Sequence, residues 1–172
     1  MPNWCENKLI VTGETVDLLE FKEQAKSKEE GIETDIRMNN FIQMPKELIN
    51  TCSPHDHPNW YEWALDNWGC KWDLSAKLIK ETETSLTYEF DSPWSPPIAF
   101  VLNVAPTFLD LLFQLSYKEG GMCFQGTMSA KNYLFIINEE EYYEHFHETE
   151  MLKEEMIYNH KRALRDLDDM RF

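Results

Sequence analysis

Leu86-Thr87-Tyr88-Glu89-Phe90-Asp91 is the stretch on which the reading of this chain turns. Leu86, Tyr88 and Phe90 alternate with Thr87, Glu89 and Asp91, the period that predicts a half-buried strand. Just upstream, the polar tetrad Glu81-Thr82-Glu83-Thr84 supplies a turn. Before that turn, Trp72 to Lys80 places Leu74, Ala76 and Leu78 in rough alternation with polar residues, predicting the antiparallel partner of a hairpin. Pairing around the tetrad brings Trp72, at the start of one strand, beside Trp94, just past the end of the other. Two aromatic corners are therefore expected to meet: Asn67-Trp68-Gly69-Cys70-Lys71-Trp72-Asp73 and Ser92-Pro93-Trp94-Ser95-Pro96-Pro97.

Working outward, Trp4 to Thr12 reads as a strand that Gly13 ends, and Thr15 caps a helix with Val16, Leu19, Phe21 and Ala25 as its apolar residues. On the other side, Pro96-Pro97 suits the first turn of a helix over Ile98 to Val104. Leu109, Leu111, Phe113, Leu115 and Tyr117 then alternate as a strand. The order is strand, helix, strand, strand, helix, strand. That is an α+β, ferredoxin-like βαββαβ fold, an antiparallel sheet with its helices on one face. Gly120-Gly121 leads into an extra hairpin, Met122 to Ser129 and Tyr133 to Ile137.

The expected domain spans residues 1–137, with an irregular insertion at about 32–66 over its surface. Asn39-Asn40, Pro45, Pro54 and Pro58 interrupt that insertion, and Pro58 starts a short helix, Asn59 to Asn67. Residues 138–172 read as a C-terminal acidic amphipathic helix. Asn138 is its cap, and Glu139, Glu140 and Glu141 sit at the positive end of the helix dipole. Leu152, Met156, His160, Ala163, Leu167 and Met170 form its stripe, which packs on the sheet, on a partner, or on a second copy to make a homodimer.

The chain has 172 residues, 42% of them hydrophobic and 13% aromatic, enough for a packed core. Its net charge of −15 excludes a general electrostatic footprint on DNA or RNA and disfavours anionic membrane surfaces. The acidity is either plain surface solubility or a face offered to a basic partner, in imitation of nucleic acid. Cys5, Cys52, Cys70 and Cys123 are scattered, with no C-x-x-C pair. Met1-Pro2-Asn3-Trp4 leads straight into a strand pattern, so no signal peptide is expected, and the expected setting is cytoplasmic with reduced thiols.

Four segments carry a family resemblance: Met1-Pro2-Asn3-Trp4-Cys5-Glu6-Asn7-Lys8-Leu9, Asn67 to Asp73, Trp94-Ser95-Pro96-Pro97 and Tyr117-Lys118-Glu119-Gly120. Together they resemble the YubB ferredoxin-like family, small proteins of phages, plasmids and integrated elements. Cys70 stands where a small residue such as Thr is expected, and the tail after Asn138 lies outside the likeness. The resemblance implies the fold, a mobile-element origin and a bacterial host, and no established activity.

Five groups of residues are candidates for chemistry or binding. Trp68, Lys71, Trp72, Asp73 and Trp94 offer an aromatic platform with a Lys71–Asp73 charge pair, or else a core corner in which Lys71 covers the indoles. Glu119 with Asp73 would make a carboxylate pair for acid–base work. On the open face of the sheet, Tyr88 and Phe90 would stack bases, although no basic residues accompany them. His55-Asp56-His57 has the residue types of a metal site but reads first as an exposed loop, so no metal or cofactor is assigned. Glu139, Glu140, Glu141 and Glu144 form the partner-facing side of the acidic helix. The expectation is a non-enzymatic interaction protein that binds a host protein, with no direct nucleic-acid or membrane binding, and countering a host defence is one role it would serve. The alternative is a small enzyme or ligand-binding domain built on Trp68, Lys71, Trp72 and Asp73.

Overall fold

The computed structural model describes residues 2–27, 31 and 33–141. All of them lie in the first of two units, Met1–Tyr142. Strand β1 (Trp4–Thr12) buries Cys5, Asn7, Leu9 and Val11 on one face and turns Trp4, Glu6 and Lys8 outward. It is the centre of a six-stranded antiparallel sheet with β2 (Lys77–Glu81), β3 (Ser85–Pro93), β4 (Leu112–Glu119), β5 (Phe124–Lys131) and β6 (Leu134–Glu141). The order β2-β3-β1-β4-β5-β6 is the split βαβ arrangement over its first four members, with β5 and β6 added as a hairpin beyond β4. Residues facing one another across β3, β1 and β4 are all buried: Tyr88, Leu9 and Leu115 in one row, Leu86, Val11 and Phe113 in the next.

Helix α1 (Thr15–Ala25) covers that face through Leu18, Phe21 and Ala25. Phe21 is the hub, in ring contact with Phe41, Tyr88, Phe108 and Phe113 at centroid distances of 5.2–6.3 Å. The expected apolar set is corrected here: Val16 and Leu19 are exposed, and Leu18 faces the core instead. Nor does Thr15 cap the helix, because Glu14 holds that position and the Thr15 hydroxyl donates to Glu83 O. The second covering helix, α3 (Ile98–Val104), buries Phe100, Val101 and Val104. Between α1 and β2 lies α2 (Trp60–Trp68). Asn59 Oδ1 caps it, accepting from Tyr61 N and Glu62 N at 3.0 Å.

Three further expectations change. The segment expected to be a surface insertion is partly core: Ile36 and Met38 are fully buried, and Asn40 Nδ2 donates to carbonyls at the end of α1. The first hairpin strand begins at Lys77, not Trp72. The stretch before it is held by Thr34 and Asp35, through Ala76 N to Thr34 Oγ1 (2.9 Å) and Asp35 N to Ala76 O (2.9 Å). Asn138–Glu141 do not open a helix. They continue β6, because its ladder with β5 runs unbroken to Phe124 opposite Glu141. The remainder of the expected helix, Glu144 included, lies outside the described residues.

Candidate functional site

Gly69 organises the corner. It ends α2 in the left-handed region at φ 84°, and its N–H donates to Ala64 O and Leu65 O. The reversal sends Cys70 inward, where it is fully buried, and Lys71 back along α2. Lys71 Nζ then sits 4.6 Å from the Trp72 ring centroid, 5.9 Å from Tyr61 and 6.0 Å from Trp60. Three partly exposed rings thus surround one ammonium, within the range of cation–π attraction.

The expected Lys71–Asp73 pair does not form, because Asp73 points into the fold. Its carboxylate accepts from Met38 N (2.6 Å), Leu74 N (2.9 Å) and Asn39 N (3.3 Å), and lies 3.6 Å from Arg37 Nε. Burial pushes that carboxyl above the ordinary range, against the opposing pull of those donors and of Arg37. Trp68 is also structural: it is buried, with its indole N–H donating to Ile42 O at 3.0 Å and its ring edge-on to Trp63.

The two aromatic corners do meet, through polar groups. Asn7 Nδ2 donates to Ser92 Oγ (2.8 Å), Ser92 Oγ to Ser95 O (2.7 Å), and Ser95 Oγ to Gly69 O (2.7 Å). This relay runs from the central strand to the turn and is buried at its inner end. Among the described residues no ring contact joins Trp72 to Trp94. Trp94 is instead tied to the residue ahead of β1 by its backbone N–H, which donates to Asn3 O at 2.9 Å. Trp4, Trp72 and Trp94 remain 50%, 42% and 45% exposed.

The other candidates separate. Glu119 is buried at the end of β4 and accepts from Gly121 N and Met122 N, closing the turn into β5. No interaction links it to Asp73 among the described residues. Tyr88 and Phe90 face the helix-covered core, so the open face lacks the stacking aromatics expected there. Cys5 and Cys70 are buried with their thiols pushed up to about 12, chiefly by desolvation. In the His55 loop, Asp56 accepts from Cys52 N and His57 faces Glu62 at 2.9 Å, so the three residues do not converge. No cluster of three or more His, Cys, Asp or Glu side chains arranged to hold a metal ion is found among the described residues. Nor is any helix there long and apolar enough to cross a membrane. Glu139 accepts from the Tyr117 hydroxyl (2.9 Å) and Glu140 from Gln125 Nε2 (2.6 Å), both from strand positions.

Residues 67–160 match the family model described as the ferredoxin-like domain in Api92-like protein, more than half of the chain. The chain belongs to that Api92-like family. Among solved structures, the crystal structure of protein Api92 from Yersinia pseudotuberculosis superposes with a TM-score of 0.55 at 11% identity, covering 85% of this chain and 100% of that one. At that identity the likeness speaks to the fold alone. No curated protein matches the chain. The ferredoxin-like character implied by the YubB resemblance stands, and the family shown is the Api92-like one. Its matched span begins at Asn67 and so takes in Lys71, Trp72, Trp94 and Glu119, whereas Trp60 and Tyr61 precede it. Sequence reasoning missed those two as neighbours of Lys71. The signal available was Gly69, a helix terminator that folds the next residues back along the helix they leave.

Proposed function

We propose that this Api92-like chain is a non-enzymatic interaction protein that docks a host protein on its exposed aromatic corner. The observation that carries the reading is the division of labour among the candidate residues. Asp73, Glu119, Trp68 and both buried thiols are spent on holding the fold. Trp4, Trp72 and Trp94 stay about half exposed, with Lys71 held between Trp72, Tyr61 and Trp60. Large, rigid, partly exposed tryptophans are the residues that most often anchor protein interfaces. Asp73 and Trp68 do not join Lys71 and Trp72 in one cleft, which weighs against the small-enzyme alternative.

The net charge of −15 favours a partner with a basic face, the acidic body standing in for nucleic acid. The mobile-element setting belongs to this reading through the YubB resemblance, and we extend the reading to the bacterial cytoplasm and a counter-defence role. The test is affinity capture from a bacterial host lysate with the wild-type chain, Trp72→Ala and Trp94→Ala, at low and moderate salt. Expected is one set of captured proteins, lost with either variant and weakened by salt. Capture that both variants retain would remove the corner from the account.

A further inference from the structure

The two edges of the sheet are built in opposite ways. At one edge, β2 is five residues long, its register with β3 shifts between Leu78 and Lys80, and its sequence Lys77-Leu78-Ile79-Lys80-Glu81 is mostly charged. Shortness, a bulge and edge lysines are the usual devices that keep an exposed strand from pairing further. At the other edge, β6 is eight residues long and its ladder with β5 has no shift. Its first half, Leu134-Phe135-Ile136-Ile137, contains no proline and no charge. Leu134 and Ile136 are 79% and 67% exposed on the open face, and Phe135 and Ile137 are 55% and 38% exposed on the opposite one. Among the described residues, the outer backbone groups of β6 have no neighbouring strand.

We infer that a second copy of this chain covers that edge, with β6 pairing antiparallel to β6 about a two-fold axis perpendicular to the sheet. The charge pattern selects this occupant and this direction. Asn138-Glu139-Glu140-Glu141 makes up the second half of the strand. A parallel pairing would set glutamate against glutamate across the ladder. The antiparallel one, centred on Ile136 opposite its own copy, brings the two apolar halves together and carries the two acidic ends away from each other. A two-fold perpendicular to the sheet also keeps each face: Phe135 meets Ile137, and Leu134 and Ile136 stay together on the open side. Every existing ladder of the sheet is antiparallel, so the pairing continues one pattern into a twelve-stranded sheet. Four apolar side chains per copy fall short of the roughly 800 Å² per partner of a standard interface, so the dimer is a concentration-dependent one.

The experiment is sedimentation velocity of the full chain across a concentration series, with Ile136→Lys and, as the control at the opposite edge, Ile79→Lys. Both residues are exposed, and circular dichroism of each variant confirms that it remains folded. Expected is a monomer–dimer equilibrium that Ile136→Lys weakens by about tenfold or more and that Ile79→Lys leaves unchanged. A chain that is monomeric throughout the series overturns the inference. So does a dimer indifferent to Ile136→Lys, which is made elsewhere.

Discussion

Tyr88→Phe should stabilise this protein. Tyr88 is fully buried, in the row between Leu78 on β2 and Leu9 on β1, with its ring edge-on to Phe21 at 6.3 Å. Its hydroxyl has no hydrogen-bond partner among the described residues. Burial drives the phenol well above its ordinary range, and the nearby Asp35 and Glu81 carboxylates push the same way. A buried hydroxyl without a partner costs about 1–3 kcal/mol by protein mutational measures. Phenylalanine keeps the ring and its contacts and removes only the oxygen. The void it leaves is smaller than a methyl group and returns less than about 1 kcal/mol of that gain. The net expectation is a stabilisation of about 0.5–2 kcal/mol. For a chain of this size each kcal/mol moves the melting temperature by roughly 2–4 °C.

The assay is urea unfolding followed by tryptophan fluorescence, backed by calorimetry. A higher midpoint at unchanged slope is the expected signature. Tyr117→Phe is the internal comparison. That hydroxyl is bonded to Glu139 at 2.9 Å, so the same chemical change should cost about 1–2 kcal/mol. Opposite signs for the two tyrosines would follow from hydrogen bonding alone. A Tyr88→Phe variant destabilised by more than about 1 kcal/mol would refute the reasoning, because the hydroxyl must then be satisfied, for example by a buried water.

Two further outcomes are expected. Gly69→Ala should lower stability by about 1–3 kcal/mol in a thermal melt, since Gly69 sits at φ 84° and an added Cβ would lie 3.0–3.2 Å from Ala99 N, Ile98 N and Pro96 O. Native thiol titration near pH 8 should count only Cys52 and Cys123, with Cys5 and Cys70 appearing on denaturation. With pKa values near 12, the buried pair holds about one thiolate in ten thousand at that pH, and stays protonated in the native state until the pH approaches 12.

What was legible in the sequence was what local periodicity can encode. Leu86-Thr87-Tyr88-Glu89-Phe90 announces β3 because Leu86, Tyr88 and Phe90 alternate into the core, with Thr87 buried against the pattern, and strict alternation holds for most of β1 and for Phe113 to Tyr117 in β4. The proline pair before α3 and Pro58 just ahead of α2 are equally local. Errors arose wherever two local signals competed and a distant contact chose between them. Leu18 and Leu19 offer α1 two apolar faces, and only docking on Tyr88 and Phe113 through Phe21 selects the first. Asn138 followed by three glutamates carries every mark of a helix start, yet seven residues of β5 were already waiting to extend the ladder across from them and their neighbours, from Phe124 to Ala130.

The candidate site was legible in composition but not in geometry, for a related reason. Lys71 and Asp73 are two apart, which would place them on one face if the chain between them were a strand. It is not a strand, because the backbone there answers to partners nearly forty residues upstream: Met38 and Asn39 N–H groups draw Asp73 inward. Once Asp73 is committed there, Lys71 is left to the rings of Trp60, Tyr61 and Trp72. Opposite charges close in sequence were therefore a poor guide, since an unsatisfied 3₁₀ turn holds a carboxylate in place more firmly than a half-exposed ammonium does. The same competition explains why Lys71 meets aromatic rings and not the Asp73 carboxylate.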